Sequence, residues 1–121
     1  MIGYVTLGTN DIARAAAFYD ALLAEVGAAR GMQSDNFIAW ASKPGTPMVS
    51  IIKPFDGKTA TSGNGTIVAL AMESRAKVDP LHARAMALGG KDEGAPGVRG
   101  GSFYAAYCRD LDGNKLAFFH T

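Results

Sequence analysis

The stretch RDLDGNKLAFFH, Arg109–His120, joins a polar turn to a short apolar segment. Gly113 tolerates a positive φ, and the side chains of Asp110, Asp112 and Asn114 can close local turns by bonding to nearby backbone groups. The chain then continues directly into a predicted strand. We therefore interpret the carboxylates of this stretch as parts of a turn and not as catalytic groups.

The N-terminal half has the order strand, helix, strands. Ile2–Leu7 alternates as a short strand does, and Asn10 or Asp11 can cap a helix over Asp11–Val26. Gly27 is placed to end that helix in the left-handed conformation. The helix has one apolar stripe and precedes two strand-like segments. The stripe is Ile12, Ala15, Phe18, Tyr19, Leu22 and Val26, and the segments are Asn36–Ser42 and Met48–Pro54.

The same pattern recurs in the C-terminal half. A shift of 63 residues places Val5 on Val68 and Gly27 on Gly90, and a shift of 67 places Trp40 on Tyr107. We interpret this recurrence as a duplicated unit, with chance agreement as the alternative. The second helix is predicted over Ser74–Leu88. It contains Pro80, so either the helix is kinked or its regular part begins at Asp79.

Composition indicates one soluble domain. The chain has 121 residues, is 48% hydrophobic and carries a net charge of +1. Its cations are scattered, which argues against nucleic-acid binding. No segment has the length and apolar character of a signal peptide or a membrane span. Cys108 is the only cysteine, so no internal disulfide can form, and a cytoplasmic location is expected.

We predict a single domain over 1–121, made of a first module over 1–54, a linker over 55–64 and a second module over 65–121. The linker is rich in Gly, Ser, Thr and Asn. A strand–helix–strands unit written twice, with ND before the first helix, FY inside it and DLDGNKL before the last strand, resembles the vicinal oxygen chelate superfamily. That group contains glyoxalase I, bleomycin-resistance proteins and extradiol dioxygenases. The resemblance implies an α+β fold of two βαβββ modules, with curved mixed sheets around a cleft.

The resemblance also implies where a metal would be bound. Metal-dependent members use up to four His, Gln or Glu side chains, and these places correspond here to Tyr4, Ser50, Ile67 and Ala117. Ile and Ala have no donor atom, and neutral Tyr and Ser are poor ligands. His82 is expected to be half-exposed on its helix and His120 to fray near the chain end. We therefore expect no metal of the family type and no other cofactor.

The vacated cleft would be aromatic and apolar. We predict that it binds a small hydrophobic or aromatic molecule without chemistry, as bleomycin-resistance proteins do. A metal-dependent lyase, isomerase or dioxygenase with an unconventional site, and an assembly module, are the alternatives. A homodimer is expected. The aromatic candidates can instead pack a core between sheet and helix. The candidate ligand-binding residues are Tyr4, Trp40, Ser50, Ile67, Arg99, Tyr104, Tyr107, Ala117 and Phe119.

Overall fold

The computed structural model describes all residues from Met1 to Thr121, and the chain forms two compact units, Met1–Ser62 and Gly63–Thr121. Each unit has the order strand, helix, three strands, which confirms the predicted α+β fold of two βαβββ modules. The first unit contains β1 (Tyr4–Gly8), α1 (Ile12–Ala24), β2 (Ala29–Gln33), β3 (Phe37–Ala41) and β4 (Met48–Ile52). The second contains β5 (Val68–Ala71), α2 (Arg75–Ala87), β6 (Lys91–Gly100), β7 (Phe103–Arg109) and β8 (Lys115–His120).

Both units build the same open mixed sheet. The strand orders are β1-β4-β3-β2 and β5-β8-β7-β6, with only the first pair of each sheet parallel. Helix α2 is α1 displaced by 63 residues at both ends. In the parallel pairs, Thr6 lies opposite Ser50 and Ala69 lies opposite Ala117, which are the same two offsets that the sequence comparison used. The duplication is therefore present in the strand register as well as in the element order.

The two helix starts differ in their capping. The Asp11 carboxylate accepts a hydrogen bond of 3.0 Å from the Arg14 backbone N–H, as predicted for a cap, whereas Ser74 makes no such side-chain bond. Pro80 lies inside α2, so the possibility that the helix begins at Asp79 is wrong. A missing backbone N–H and a missing cap both weaken α2 locally, and its stability depends on packing.

The two helix ends use a left-handed glycine. Gly27 has φ 75° after α1, as predicted, and Gly89 has φ 96° after α2. The conformational counterpart of Gly27 is thus Gly89 and not Gly90. Gly90 is constrained differently, because a Cβ there would lie 2.8 Å from the Ala85 carbonyl oxygen and 2.9 Å from that of Arg109.

The turn between β7 and β8 has the structural role predicted for it. The Asp110 carboxylate accepts hydrogen bonds of 2.9 Å from the backbone N–H groups of Asp112 and Asn114 and from the Asn114 amide. Asp110 and Asn114 are buried, and Gly113 has φ 88°. These carboxylate bonds leave Asp110 committed to the turn.

The segment after β4 is attached to its own unit. The Asn10 amide oxygen accepts a hydrogen bond of 2.7 Å from the Ala60 backbone N–H, and a Cβ on Gly8 would lie 3.1 Å from the Ala60 Cβ. The close approach at Gly8 therefore favours a residue without a side chain. Neither helix is long and apolar enough to cross a membrane.

Candidate functional site

Each sheet has one face covered by its helix and one open face. Side chains alternate along a strand, and directly paired residues share a face. In the second sheet, the residues that are fully buried against α2 include Ala106, Cys108, Leu116 and Phe118. Their neighbours along β7 and β8 therefore lie on the opposite side. This open face carries Phe103, Ala105, Tyr107, Arg109, Lys115, Ala117 and Phe119.

The open face of the second sheet is cationic at one end. Lys91, Arg109 and Lys115 are direct neighbours across β6, β7 and β8. The Arg109 guanidinium donates a hydrogen bond of 2.8 Å to Glu93 and another of 3.1 Å to the Gly113 carbonyl oxygen. The bond from Arg109 is the main reason why the pKa of Glu93 is lowered, although partial burial opposes it. One carboxylate therefore stands among three cations.

The rest of this face is aromatic. The Tyr107 ring has the Arg99 guanidinium 5.4 Å and the Lys115 ammonium 5.5 Å from its centroid. Both distances are within the range of cation–π attraction. Phe103 and Phe119 stack at 5.3 Å between centroids with an interplanar angle of 28°. Small residues separate these rings, because a Cβ on Gly94 would lie 3.0 Å from Tyr107 Cδ2.

Two predicted lining residues belong to the helix side instead. Trp40 is 1% exposed, packs against Tyr19 of α1 and donates its indole N–H to Asp20 at 2.8 Å. Tyr104 donates its hydroxyl to Asp79 of α2 at 2.7 Å, which is the main cause of its raised pKa. The expectation that both line the ligand face is therefore wrong, since each is directed to its own helix.

The open face of the first sheet is apolar with a pair of hydroxyl groups at its centre. Tyr4 is exposed and meets Phe37 edge to face at 6.5 Å between centroids. The Ser50 hydroxyl donates to the Val5 carbonyl oxygen at 2.8 Å and lies 2.9 Å from the Thr6 hydroxyl. Ser50 is fully buried, so its hydroxyl is already committed within the protein.

A groove of about 590 Å³ lies at the end of the first sheet where β1 begins. It runs between Ile2–Gly3, the start of β2 and the β3–β4 turn, and it includes Met32 and Met48. Met32 is 55% exposed. The groove is therefore apolar on the side of the sheet and lined by loop residues on the other.

A family model for the Glyoxalase/Bleomycin resistance protein/Dioxygenase superfamily matches residues 1–118. The chain belongs to this superfamily. A solved glyoxalase/bleomycin resistance protein from Albidiferax ferrireducens T118 is 35% identical, with a TM-score of 0.89, and the match covers 100% of this chain and 98% of that one. The resemblance inferred from the duplicated pattern and the DLDGNKL turn is thus confirmed at the level of the superfamily.

More distant solved structures share the fold. A glyoxalase-related enzyme from Fulvimarina pelagi is 20% identical with a TM-score of 0.80, covering 100% of this chain and 88% of its own. A lactoylglutathione lyase from Agrobacterium tumefaciens is 19% identical with a TM-score of 0.72, covering 99% and 92%. No curated protein matches the chain. At these identities the two enzymes show the common architecture and not a common reaction.

The superfamily's metal-ligand places do not fit a metal in this member. Tyr4 is a neutral phenol with its ring against Phe37, and the Ser50 hydroxyl is bonded to Val5 and Thr6. Ile67 lies just before β5 and Ala117 lies on the open face of β8, and neither has a donor atom. Nowhere in residues 1–121 do three His, Cys, Asp or Glu side chains form a group that would hold an ion.

The two histidines lie in structured places, contrary to expectation. His82 is only 8% exposed, with Nε2 3.0 Å from the Asp92 carboxylate, because β6 passes beside α2 at that point. His120 belongs to β8, and its Nδ1 lies 2.9 Å from the Met72 carbonyl oxygen. Cys108 is also buried on the helix side, and this burial raises the pKa of its thiol to about 12. None of these groups lies on an open face.

Several residues of the second open face were not singled out from the sequence. They are Lys91, Phe103, Arg109 and Lys115. The missed signal is the two-residue period of a strand: Arg109 is two residues from Tyr107, and Lys115 is two residues from Ala117. Tyr104 and Tyr107 are three residues apart, so the same period already places them on opposite faces. Of the predicted residues, the structure brings Tyr107, Ala117, Phe119 and Arg99 together here.

Proposed function

We propose that this superfamily member binds a small, flat, hydrophobic or aromatic molecule on the open face of its second sheet and uses no metal ion to do so. The observation that carries the proposal is the combination of accessible aromatic rings with ligand places that lack donor atoms. Tyr107 and Phe119 are both partly exposed, and Ala69 and Ala71 of the neighbouring edge strand are exposed. A ring can lie on such a surface, where aromatic pairs and burial both stabilise it.

The chemistry of the face supports binding more than catalysis. In metal-dependent enzymes the ion acts as a Lewis acid or lowers the pKa of a bound water, and both roles need a set of donor side chains. Here the four corresponding places supply one phenol and one hydroxyl that is already bonded. The carboxylate on the face, Glu93, is paired with Arg109 at 2.8 Å, and its pKa is lowered, so it is a weak candidate for a general base.

The test uses amide NMR of the metal-free protein with a panel of planar aromatic compounds. We expect shifts at Tyr107, Phe119 and β5, and not at α2. Tyr107→Leu should weaken the best compound by about two- to tenfold, because an aromatic pair contributes about 0.5–1.5 kcal/mol beyond burial. Tyr104→Leu is the matched control, since it removes a tyrosine of the same strand from the other face. Equal losses in the two variants would contradict the proposal.

The metal-dependent alternative is tested on the same protein. Zn²⁺, Ni²⁺, Mn²⁺ and Fe²⁺ should leave the melting temperature unchanged. A site occupied at one hundred times its dissociation constant would add about 2.7 kcal/mol, which corresponds to a shift of several degrees in a domain of this size. Such a shift with any of these ions would favour the lyase, isomerase or dioxygenase function over metal-free binding.

Assembly and location are further parts of the proposal. A homodimer is supported by exposed apolar side chains of the first unit: Ile2 is 58%, Tyr4 59% and Met32 55% exposed. Surfaces of this kind are commonly buried between copies. A cytoplasmic location is supported by Cys108, which is a free thiol.

A further inference from the structure

The open face of the second sheet is ordered in rows that change character along the strands. The first row is Lys91, Arg109 and Lys115, the second is Gly94, Tyr107, Ala117 and Ala69, and the third is Gly97, Ala105, Phe119 and Ala71. Successive rows are separated by two residues, which is roughly 7 Å. The face therefore passes from cations, through a tyrosine among small residues, to a phenylalanine among small residues.

The cations of this face exceed its carboxylates. Lys91, Arg99, Arg109 and Lys115 carry four positive charges, and Glu93 carries one negative charge, which leaves an excess of three. Arg109 is occupied by Glu93 and the Gly113 carbonyl oxygen, and Arg99 donates to the Ala95 carbonyl oxygen. Lys115 forms no ion pair and extends over the Tyr107 ring instead. Its ammonium thus stands at the border between the cationic row and the aromatic rows.

We propose that the ligand of this face is a planar aromatic carboxylate, with its ring on the second and third rows and its carboxylate beside Lys115. This inference rests on the proposed function and adds the charge of the ligand to it. A neutral ring would use Tyr107 and Phe119 but leave the excess charge unanswered. An anion at the first row answers it through a charge-assisted hydrogen bond.

A carboxylate fits this place better than a phosphate. Phosphate sites are formed by the N–H groups of helix N-termini or glycine-rich loops. The cationic row lies inside three paired strands, whose N–H groups are engaged in the sheet. What remains for an anion is the side-chain charge of Lys115 and its neighbours, beside a surface for a ring. An aromatic monoanion combines these two features in one molecule.

The test compares 2-naphthoate with its neutral isostere 2-naphthamide by calorimetry and amide NMR on the metal-free full chain. We expect 2-naphthoate to bind about tenfold more tightly, since several partly exposed charges contribute together. Lys115→Gln should weaken 2-naphthoate about three- to fivefold and leave 2-naphthamide unchanged. Lys77→Gln, on the exposed surface of α2, is the matched control and should change neither.

The outcomes separate this inference from the proposed function. If the two probes bind equally and both shift Tyr107 and Phe119, the anion inference is refuted and aromatic binding stands. If Lys115→Gln weakens both probes equally, the lysine acts through packing, and the inference is again refuted. If neither probe shifts the open face, the inference and the proposed function both fail. A melting curve of each variant confirms that it is folded.

Discussion

Replacing Asp20 with alanine removes the acceptor that joins α1 to two strands of the first sheet. Asp20 Oδ1 accepts from the Trp40 indole N–H at 2.8 Å and from Arg30 Nε at 2.9 Å, and Oδ2 accepts from Arg30 Nη2 at 2.7 Å. Trp40 is 1% exposed, whereas the side chains of Arg30 and Asp20 are 38% and 43% exposed. The two bonding partners therefore differ in how easily water can replace Asp20.

This difference in exposure determines the expected cost. A buried donor left without an acceptor costs about 1–3 kcal/mol, and this applies to the Trp40 indole. An exposed ion pair contributes about 0–1 kcal/mol, and this applies to Arg30, whose charge water can solvate. Asp20→Ala should therefore lower the free energy of unfolding by about 2–3 kcal/mol. Asp20→Asn retains an oxygen for the indole, so it should cost at most about 1 kcal/mol, as should Arg30→Gln.

The assay is urea unfolding followed by tryptophan fluorescence. Trp40 is the only tryptophan, so the signal reports on the first unit. The ranking should be Asp20→Ala well above Asp20→Asn and Arg30→Gln, with unchanged m-values. If Arg30→Gln were as costly as Asp20→Ala, the ion pair and not the indole bond would be the main interaction, and the reasoning from exposure would be refuted.

The same site predicts a pH dependence. The hydrogen bond from Arg30 is the main cause that lowers the pKa of Asp20, with a smaller contribution from Trp40 against the opposing effect of burial. A carboxyl whose pKa is lower in the folded state stabilises the protein above its unfolded pKa of about 3.9, and this stability is lost as pH falls through the folded value. The stability difference between the natural protein and Asp20→Asn should therefore shrink below about pH 4. A constant difference down to acid pH would contradict this assignment.

Two further predictions concern the turn and the assembly. Asp110→Ala removes the acceptor of two buried backbone N–H bonds and should lower the free energy of unfolding of the second unit by about 2–3 kcal/mol, whereas Gly113→Ala, at φ 88°, should cost about 1 kcal/mol. Chemical denaturation followed by circular dichroism measures both, and a larger cost for Gly113→Ala would oppose this order. Sedimentation at micromolar concentration should show a dimer, expected to bury about 1,200 Å² or more, and a monomer would refute the proposed assembly.

Much of the fold was predictable because its signals are local. The apolar stripe of α1, the Asp11 cap and the left-handed Gly27 act within a few residues of one another, and all are present. The end of α1 was placed two residues late, at Val26 instead of Ala24, because fraying turns carry no distinct signal. Gly90 was matched with Gly27 by register, although the left-handed residue is Gly89.

The candidate site was predictable only in part. Tyr107, Phe119 and Arg99 were found because aromatic and cationic residues in predicted strands are visible in the sequence. Trp40 was assigned to the wrong side, because its indole is directed to Asp20 of the helix and nothing in β3 alone indicates this. Lys115 was overlooked because its importance comes from Tyr107 on the paired strand.

By itself, the sequence determined the order of elements, the duplication and the DLDGN turn, since each depends on spacing along one short segment. Strand alternation also determined which residues share a face. Only the tertiary structure decided which of the two faces the helix covers, and therefore that Tyr104 meets Asp79 while Tyr107 meets Lys115. It also brought His82 to Asp92 and Lys91 beside Arg109. The physical reason is that pairing and packing join residues distant in the chain, and a local pattern does not specify its partner.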